Sequence, residues 1–424
     1  MSVRSQQLFE LTQARARARK AARRGRIESR LVDGSIGAVM LVALTLIFLD
    51  VPNYLFAVGG VLLPKYIYFG IAAVLAPLLL FRLKSIGQYV GSPIMLWVGA
   101  FLAVTAAHWA FAFFIDDWRR AANILTNMQF ALFAVIIGAA AATRREGAYA
   151  SLFAALAAVL GGLVVLDFAM PGLVYPLSTE QSVIGRGAGT YINPNLAAEG
   201  LLLTYLLALP ALSVRMRVIL LLFVGFATVV TFSRGATFGW FAIWLFLAAY
   251  RAIPRSTIVL PILGILFLPS LIGLIETYLL GRADIGRGLD DILARLDFFQ
   301  TFSAVDFSAQ ERALVRDMGI DLFLQNPLVG AGAAATNFWS HRAQTHNELV
   351  LLAAEYGVVG VLFWIWLVVL ILRGTYFRER GLAIAAAFAF AYLSMFSHTM
   401  LEMAFWLVGL TFLCQRTPRA KGAA

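Results

Sequence analysis

The sequence contains a single cysteine, Cys414, in 424 residues. One thiol excludes an intrachain disulfide and argues against thiol chemistry as the basis of function. Charged residues are also scarce, at 13% of the chain, whereas hydrophobic residues make up 61%. No repeat of solenoid period is present, and the only compositionally biased tract is the N-terminal Arg/Ala segment. These deficits exclude a disulfide-framed secreted protein and a repeat protein, and they direct attention to the apolar blocks.

Apolar blocks of about 20 residues recur along the chain, which is the length that a helix needs to cross a bilayer. We therefore predict an all-α polytopic membrane protein with about twelve transmembrane helices. The predicted spans are 34–50, 62–81, 92–115, 121–142, 148–169, 194–212, 216–232, 236–250, 256–276, 346–372, 381–397 and 399–414.

The charge pattern predicts the orientation of these spans. The net charge is +11, but nine of the 34 Lys and Arg residues lie in residues 1–33. A segment rich in Arg and Ala at this position is typical of a cytosolic helix on anionic membrane lipid, so nucleic acid is not an expected partner. The short connections on the same side are basic, as the positive-inside rule requires. Two long loops, 170–193 and 277–345, then face outward.

This topology divides the chain into five parts. Residues 1–33 are a cytosolic basic segment, 34–276 hold spans one to nine, and 277–345 form the long outer loop with a helix near 309–325. Residues 346–414 hold spans ten to twelve, and 415–424 form a cytosolic tail. The outer loop is too short and too apolar for a separate domain, so we expect it to fold back onto the membrane surface.

The loop ends in Thr345-His346-Asn347-Glu348. Thr345 and Glu348 have the spacing of a capping box, which predicts that span ten begins at His346. The positive end of a helix opposes protonation of an imidazole and predicts a neutral His346. A second capping box at Ser308 opens the loop helix.

Four arginines are the candidates for anion binding on the outer side. Arg312 and Arg316 are one helical turn apart on the loop helix. Arg234 lies in the tight turn Ser233-Arg234-Gly235, and Arg186 lies in a glycine-rich turn before span six. Guanidinium groups bind phosphate oxygens bidentately, so the four together predict a diphosphate site that needs no metal or cofactor.

Residues near these arginines are further candidates for substrate binding. Asn193 is expected to cap span six, with Pro194 as its first helical residue. Asn195 follows in the same turn, Tyr191 is a candidate for stacking on a sugar ring, and Asn347 adjoins His346.

Other polar groups are given structural interpretations. Gly330-Ala331-Gly332 has no preceding strand and no Walker lysine, so we interpret it as a flexible turn. We assign Arg119 and Arg120 to a local charge cluster, and His398 and Glu402 to a pair that supports the outer end of the bundle.

Several motifs together resemble the O-antigen ligase and polymerase superfamily of polysaccharide-assembly membrane proteins. They are Gly-Thr-Tyr-Ile-Asn-Pro-Asn (189–195), Ser-Arg-Gly-Ala (233–236), Asn-Pro-Leu-Val-Gly-Ala-Gly (326–332) after Arg312, Thr-His-Asn-Glu-Leu (345–349) and Glu-Tyr-Gly (355–357). Each motif is weak alone, and the order and spacing of the set are specific.

The resemblance implies a catalytic set of Arg234, Arg312 and His346. It also implies an enzyme of the bacterial inner membrane that acts at the periplasmic face. Its donor would be a glycan linked to undecaprenyl diphosphate and its acceptor the lipid A–core. Many relatives have an aromatic residue where this chain has Arg316, which leaves the role of Arg316 open. A polymerase of the same superfamily, a transporter of lipid-linked glycans and a ligase with a protein acceptor remain alternatives.

Overall fold

The computed structural model describes residues 31–60, 62–144, 147–176, 185–281, 293, 307–341, 344–374, 376–377, 379–397 and 400–415. Throughout these residues the regular structure is helical. In chain order the helices are α1 (Leu31–Phe48), α2 (Val51–Gly59), α3 (Pro64–Leu80), α4 (Leu83–Val90), α5 (Pro93–Phe114), α6 (Trp118–Ala142), α7 (Ala150–Ala169), α8 (Pro194–Ala208), α9 (Val214–Val229), α10 (Arg234–Ala249), α11 (Val259–Leu280), α12 (Phe307–Gln325), α13 (Glu348–Arg373), α14 (Arg380–Leu393) and α15 (Ala404–Leu413).

The protein is a polytopic helical membrane protein, as predicted. In the described residues, five helices are long and apolar enough to cross a bilayer, namely α1, α5, α6, α7 and α13. The pair α3 and α4 would add a sixth crossing, and the two helices meet at an angle of 110°. The expected count of about twelve is therefore not confirmed. For example, α15 has 10 residues and extends only about 15 Å, half the thickness of a hydrocarbon core.

Helix α8 forms the centre of the bundle. Every residue from Ala197 to Ala208 is buried. A helix that is apolar on all sides belongs in a core, and α8 packs against α7, α9 and α15. Its N-terminus lies beside the glycine-rich turn that carries Arg186, so the core of the fold supports one part of the candidate site.

The described end of the long loop packs on a membrane-spanning helix, because the second half of α12 runs alongside α13. A side-chain carbon at Gly319 would lie 2.7 Å from Val350 and 3.0 Å from Thr345. Just beyond the end of α12, the carbonyl of Pro327 accepts from the backbone N–H of Val358 in α13 at 2.8 Å. Glycine at position 319 permits this close approach of the two helices.

Helix α13 is interrupted at Gly357, whose φ of 64° and ψ of −149° are not helical. Carbonyl groups near the break accept hydrogen bonds from residues 331 and 332 of the loop. The distances are 2.8 Å from Ala331 N to Ala354 O and 2.9 Å from Gly332 N to Glu355 O. Loop and helix thereby satisfy each other's backbone groups, which the interrupted helix cannot do alone.

Candidate functional site

The loop into α13 is built differently from the predicted capping box. Helix α13 begins at Glu348, and Asn347 is its N-cap, with the side-chain oxygen accepting from Val350 N at 3.0 Å. Thr345 donates its hydroxyl to the carbonyl of Asn347 at 3.1 Å instead of capping the helix. The structure thus assigns Asn347 a capping role in place of the predicted substrate contact, because its buried amide group is already engaged.

His346 lies just outside the helix in the left-handed region, with a φ of 50°. This conformation costs a residue other than glycine about 1–2 kcal/mol, so the surrounding contacts hold it in place. Burial lowers the pKa of His346 to about 4, and the positive charge of Arg312 contributes to the shift. The imidazole is therefore neutral, as predicted. The cause is burial and Arg312 rather than the end of a helix.

The two arginines of α12 are in different environments. Arg312 is half-buried and close enough to His346 to act on its pKa. The Arg316 side chain is 51% exposed, and its Nη2 lies 2.8 Å from Asp317 Oδ1. The structure therefore brings Arg312, but not Arg316, to the histidine.

Helix α12 itself agrees with the predicted segment 309–325. It already includes Phe307, so Ser308 is not its N-cap.

Arg234 is the first residue of α10 and is half-buried. Two residues earlier, Phe232 has a φ of 52° and is buried. Among these described residues, Ser233 makes no side-chain hydrogen bond to cap α10. A helix N-terminus of this kind combines N–H donors with a guanidinium at one position, which is an arrangement suited to an anion.

Arg186 supports the turn before Arg234. It is buried, and its Nε donates to the carbonyl of Thr231 at 2.8 Å. Its Nη2 donates to Asn195 Oδ1 at 3.0 Å, and the neighbouring Gly187 N donates to Val230 O at 3.0 Å. These contacts give Arg186 and Asn195 a structural role next to the Arg234 turn.

The predicted cap of α8 is confirmed. The Asn193 side chain accepts from Asn195 N at 2.8 Å, and Pro194 is the first helical residue. The expectation for Tyr191 is wrong. Its ring is fully buried against Phe405 and its hydroxyl donates to Phe48 O at 3.1 Å, so it belongs to the core and offers no face to a sugar.

The connection between α14 and α15 touches both halves of the site. Ser394 O accepts from Glu348 N at 2.7 Å, and the Glu348 carboxylate accepts from Met400 N at 3.0 Å. On the other side, a side-chain carbon at Gly235 would lie 3.0 Å from the Phe396 ring. The turn of Arg234 and the loop of His346 therefore pack on the same connection. Of the predicted pair in this connection, His398 lies outside the described residues, and Glu402 accepts from Asn127 at 2.8 Å.

Sequence reasoning missed the residues that hold the loop 331–336. Arg120 donates to Ala331 O and Ala333 O, both at 2.7 Å, so it is not merely part of a surface charge cluster. The Glu355 carboxylate accepts from Ala334 N at 2.8 Å and from the Thr336 hydroxyl at 2.6 Å.

Residues 330–332 are correspondingly not a flexible turn. Gly330 and Gly332 have φ values of 74° and 93° and pack directly against Glu355 and Arg120. The sequence did contain one signal for these contacts. Glu355 is an acid within an apolar span, and an acid at such a position usually has a specific partner.

Residues 219–365 match the family model described as O-antigen ligase. This match supports an assignment of the segment to the O-antigen ligase family. Searches for similar proteins found no match among curated proteins and none among solved structures. The segment that matches the O-antigen ligase family contains Arg234, Arg312 and His346, whereas Arg186, Tyr191 and Asn193 precede it. Of the motifs that carry the resemblance, those from Ser233 to Gly357 lie within the matched segment, and for them the resemblance is confirmed.

Proposed function

We propose that this protein is a glycosyltransferase with O-antigen ligase activity. It transfers a glycan from undecaprenyl diphosphate to a sugar hydroxyl of lipid A–core at the periplasmic face of the bacterial inner membrane. The observation that carries the proposal is a neutral, half-buried His346 beside Arg312, in a segment that matches the O-antigen ligase family model. A neutral imidazole is the form that accepts a proton from a hydroxyl.

In the proposed reaction His346 removes the proton of the acceptor hydroxyl as its oxygen attacks the anomeric carbon of the donor. The bond between that carbon and the phosphate oxygen breaks, and both electrons leave with undecaprenyl diphosphate. Arg312 and Arg234 stabilise the charge that develops on the leaving diphosphate. A single displacement inverts the anomeric configuration. The two cations neutralise charge without a metal, so transfer should continue in the presence of a chelator.

The positions of Arg186 and Arg316 refine the predicted diphosphate site. Arg186 is engaged with Thr231 and Asn195, so we assign it to the support of the Arg234 turn. Arg316 is exposed and paired with Asp317, so we place it outside the reacting group. The proposed machinery consists of His346, Arg312 and Arg234.

The test is transfer by the purified full-length protein, supplied with glycan on undecaprenyl diphosphate and with rough lipopolysaccharide. A single new linkage per acceptor molecule supports the ligase. A ladder grown on the lipid-linked glycan would instead show the polymerase reaction of the same superfamily. Movement of the lipid-linked glycan across a vesicle membrane without a new glycosidic bond would show a transporter and contradict the proposal.

A further inference from the structure

The outward face of α13 below its break is apolar and exposed. Val358, Leu362 and Ile365 are 43%, 58% and 45% exposed. Their spacing places them on one side of a helix that is long and apolar enough to span a membrane. An exposed apolar strip on such a helix is suited to contact with lipid.

The loop after α12 is fixed beside the top of this strip. Val358 N donates to Pro327 O at 2.8 Å, and Gly357 packs directly against the backbone of Leu328. Leu328 and Val329 are 72% and 65% exposed, and Leu324 at the end of α12 is 65% exposed. Exposed apolar side chains of the loop and of the end of α12 therefore lie close to the exposed strip of α13.

The depth of this loop follows from the helix it touches. Gly357 is the tenth residue of α13, so it lies about 14 Å along the axis from Glu348 at 1.5 Å per residue. One leaflet of the hydrocarbon core is about 15 Å thick. A second helix also places part of the loop below a helix end: His108 accepts from Ala333 N at 3.0 Å, and it precedes the end of α5 at Phe114 by about 9 Å.

The glycine-containing part of the loop, residues 330–332, is hydrogen-bonded to protein groups at that depth. Non-helical backbone is tolerated in a bilayer only where protein groups satisfy it. Gly330 N donates to Asn326 O at 3.0 Å, Ala331 N to Ala354 O at 2.8 Å and Gly332 N to Glu355 O at 2.9 Å. The sequence agrees, because no Asp, Glu, Lys or Arg occurs between Asp321 and Arg342.

We propose that the end of α12 and residues 326–330 form a re-entrant element, in which Leu324, Leu328 and Val329 contact the acyl chains of the leaflet on the His346 side. Arg316 and Asp317 lie about 12–14 Å along the axis of α12 from its end at Gln325, so they remain in the headgroup region. The long loop thus penetrates the membrane where the sequence predicted only surface contact.

The test measures depth with single cysteines. The native Cys414 is buried and is replaced by alanine. Leu328→Cys and Val329→Cys are the test positions, Leu362→Cys is the reference within the lipid, and Asp317→Cys, 61% exposed, is the reference in water. Each full-length variant is labelled with an environment-sensitive fluorophore and reconstituted into phosphatidylcholine vesicles. The vesicles carry a nitroxide on either the acyl chain or the headgroup.

At positions 328 and 329 we expect stronger quenching by the chain nitroxide than by the headgroup nitroxide, as at position 362. Position 317 should show the reverse order. Quenching at 328 and 329 that follows position 317 overturns the proposal. If either variant fails to purify as a monodisperse protein, Leu324→Cys supplies the same measurement. The readout does not involve transfer, so its failure is distinguishable from failure of the proposed reaction.

Discussion

The positive charge of Arg312, on α12, lowers the pKa of His346, which lies in the loop before α13. Burial is the larger cause of the shift, and the two together bring the pKa to about 4 from 6.5. The base of the proposed reaction and a cation for the leaving group are therefore coupled. Gly319 makes this possible, because it allows α12 to lie directly against Thr345 and Val350.

The coupling predicts the pH dependence of transfer. The neutral imidazole is the active form, so kcat/KM should stay level as pH falls through 6.5 and decline only near pH 4. Arg312→Gln removes the nearby charge, so its remaining activity should decline at a higher pH than that of the wild type. Arg312→Lys keeps the charge and should retain the wild-type midpoint.

Arg316→Gln is the matched control for that profile, since Arg316 is exposed and paired with Asp317. Its midpoint should equal that of the wild type. A wild-type midpoint at the ordinary histidine value of 6.5 would contradict the assignment of His346 as a buried base.

Arg186→Met should destabilise the protein as well as reduce transfer. The substitution removes the donors to Thr231 O and Asn195 Oδ1 and leaves buried acceptors without them. Each such loss costs about 1–3 kcal/mol. Thermal unfolding in detergent measures the effect. Arg316→Met should change the unfolding temperature little, because an exposed ion pair contributes about 0–1 kcal/mol. Equal stability of the two variants would show that Arg186 does not support the Arg234 turn.

Glu355→Ala should loosen the loop 331–336. The carboxylate accepts from Ala334 N, Thr336 N and the Thr336 hydroxyl, and these buried donors lose their acceptor in the variant. The free energy of unfolding should fall by about 1–3 kcal/mol for each donor left unsatisfied. Glu355→Gln keeps one acceptor oxygen, so its free energy of unfolding should lie between that of the wild type and that of Glu355→Ala. Glu311→Ala, at a half-buried acid, is the control. If it lowers the free energy of unfolding as much as Glu355→Ala does, the hydrogen bonds of Glu355 do not hold the loop as described.

Gly330→Ala should prevent the loop from packing against α13 at its break. The residue has a φ of 74°, and a side-chain carbon there would overlap the backbone of Glu355. We expect a strong loss of monodisperse protein in size-exclusion chromatography. Gly162→Ala in α7 is the matched control, since a carbon there meets no atom within 4 Å and alanine favours a helix by about 0.5–1 kcal/mol. Normal yield of Gly330→Ala would show that the loop does not pack as described.

The sequence predicted the features that depend on neighbouring residues, namely helix formation and the cap of α8. Apolar length predicted a polytopic helical membrane protein, and Asn193 and Pro194 marked the start of α8. The Thr345 capping box failed because Asn347, two residues later, competes for the same helix end.

Tertiary contacts decided the remaining features. Tyr191 was predicted to be available for stacking on a sugar ring. Its burial depends on Phe48 and Phe405, which are distant in sequence. Residues 330–332 were interpreted as a flexible turn because Arg120 and Glu355, which hold this loop, are likewise remote from it along the chain. No local rule connects such residues, so these parts of the site required the structure.

The most direct test of the central claim is a comparison of His346→Ala with His341→Ala in the purified transfer assay. His341 lies in the same loop, and its Nε2 lies 3.8 Å from Glu311 Oε1. We predict that His346→Ala lowers kcat by about 10²–10⁴, as loss of a general base does, while His341→Ala remains near the wild type. Full transfer by a well-folded His346→Ala protein would contradict the account.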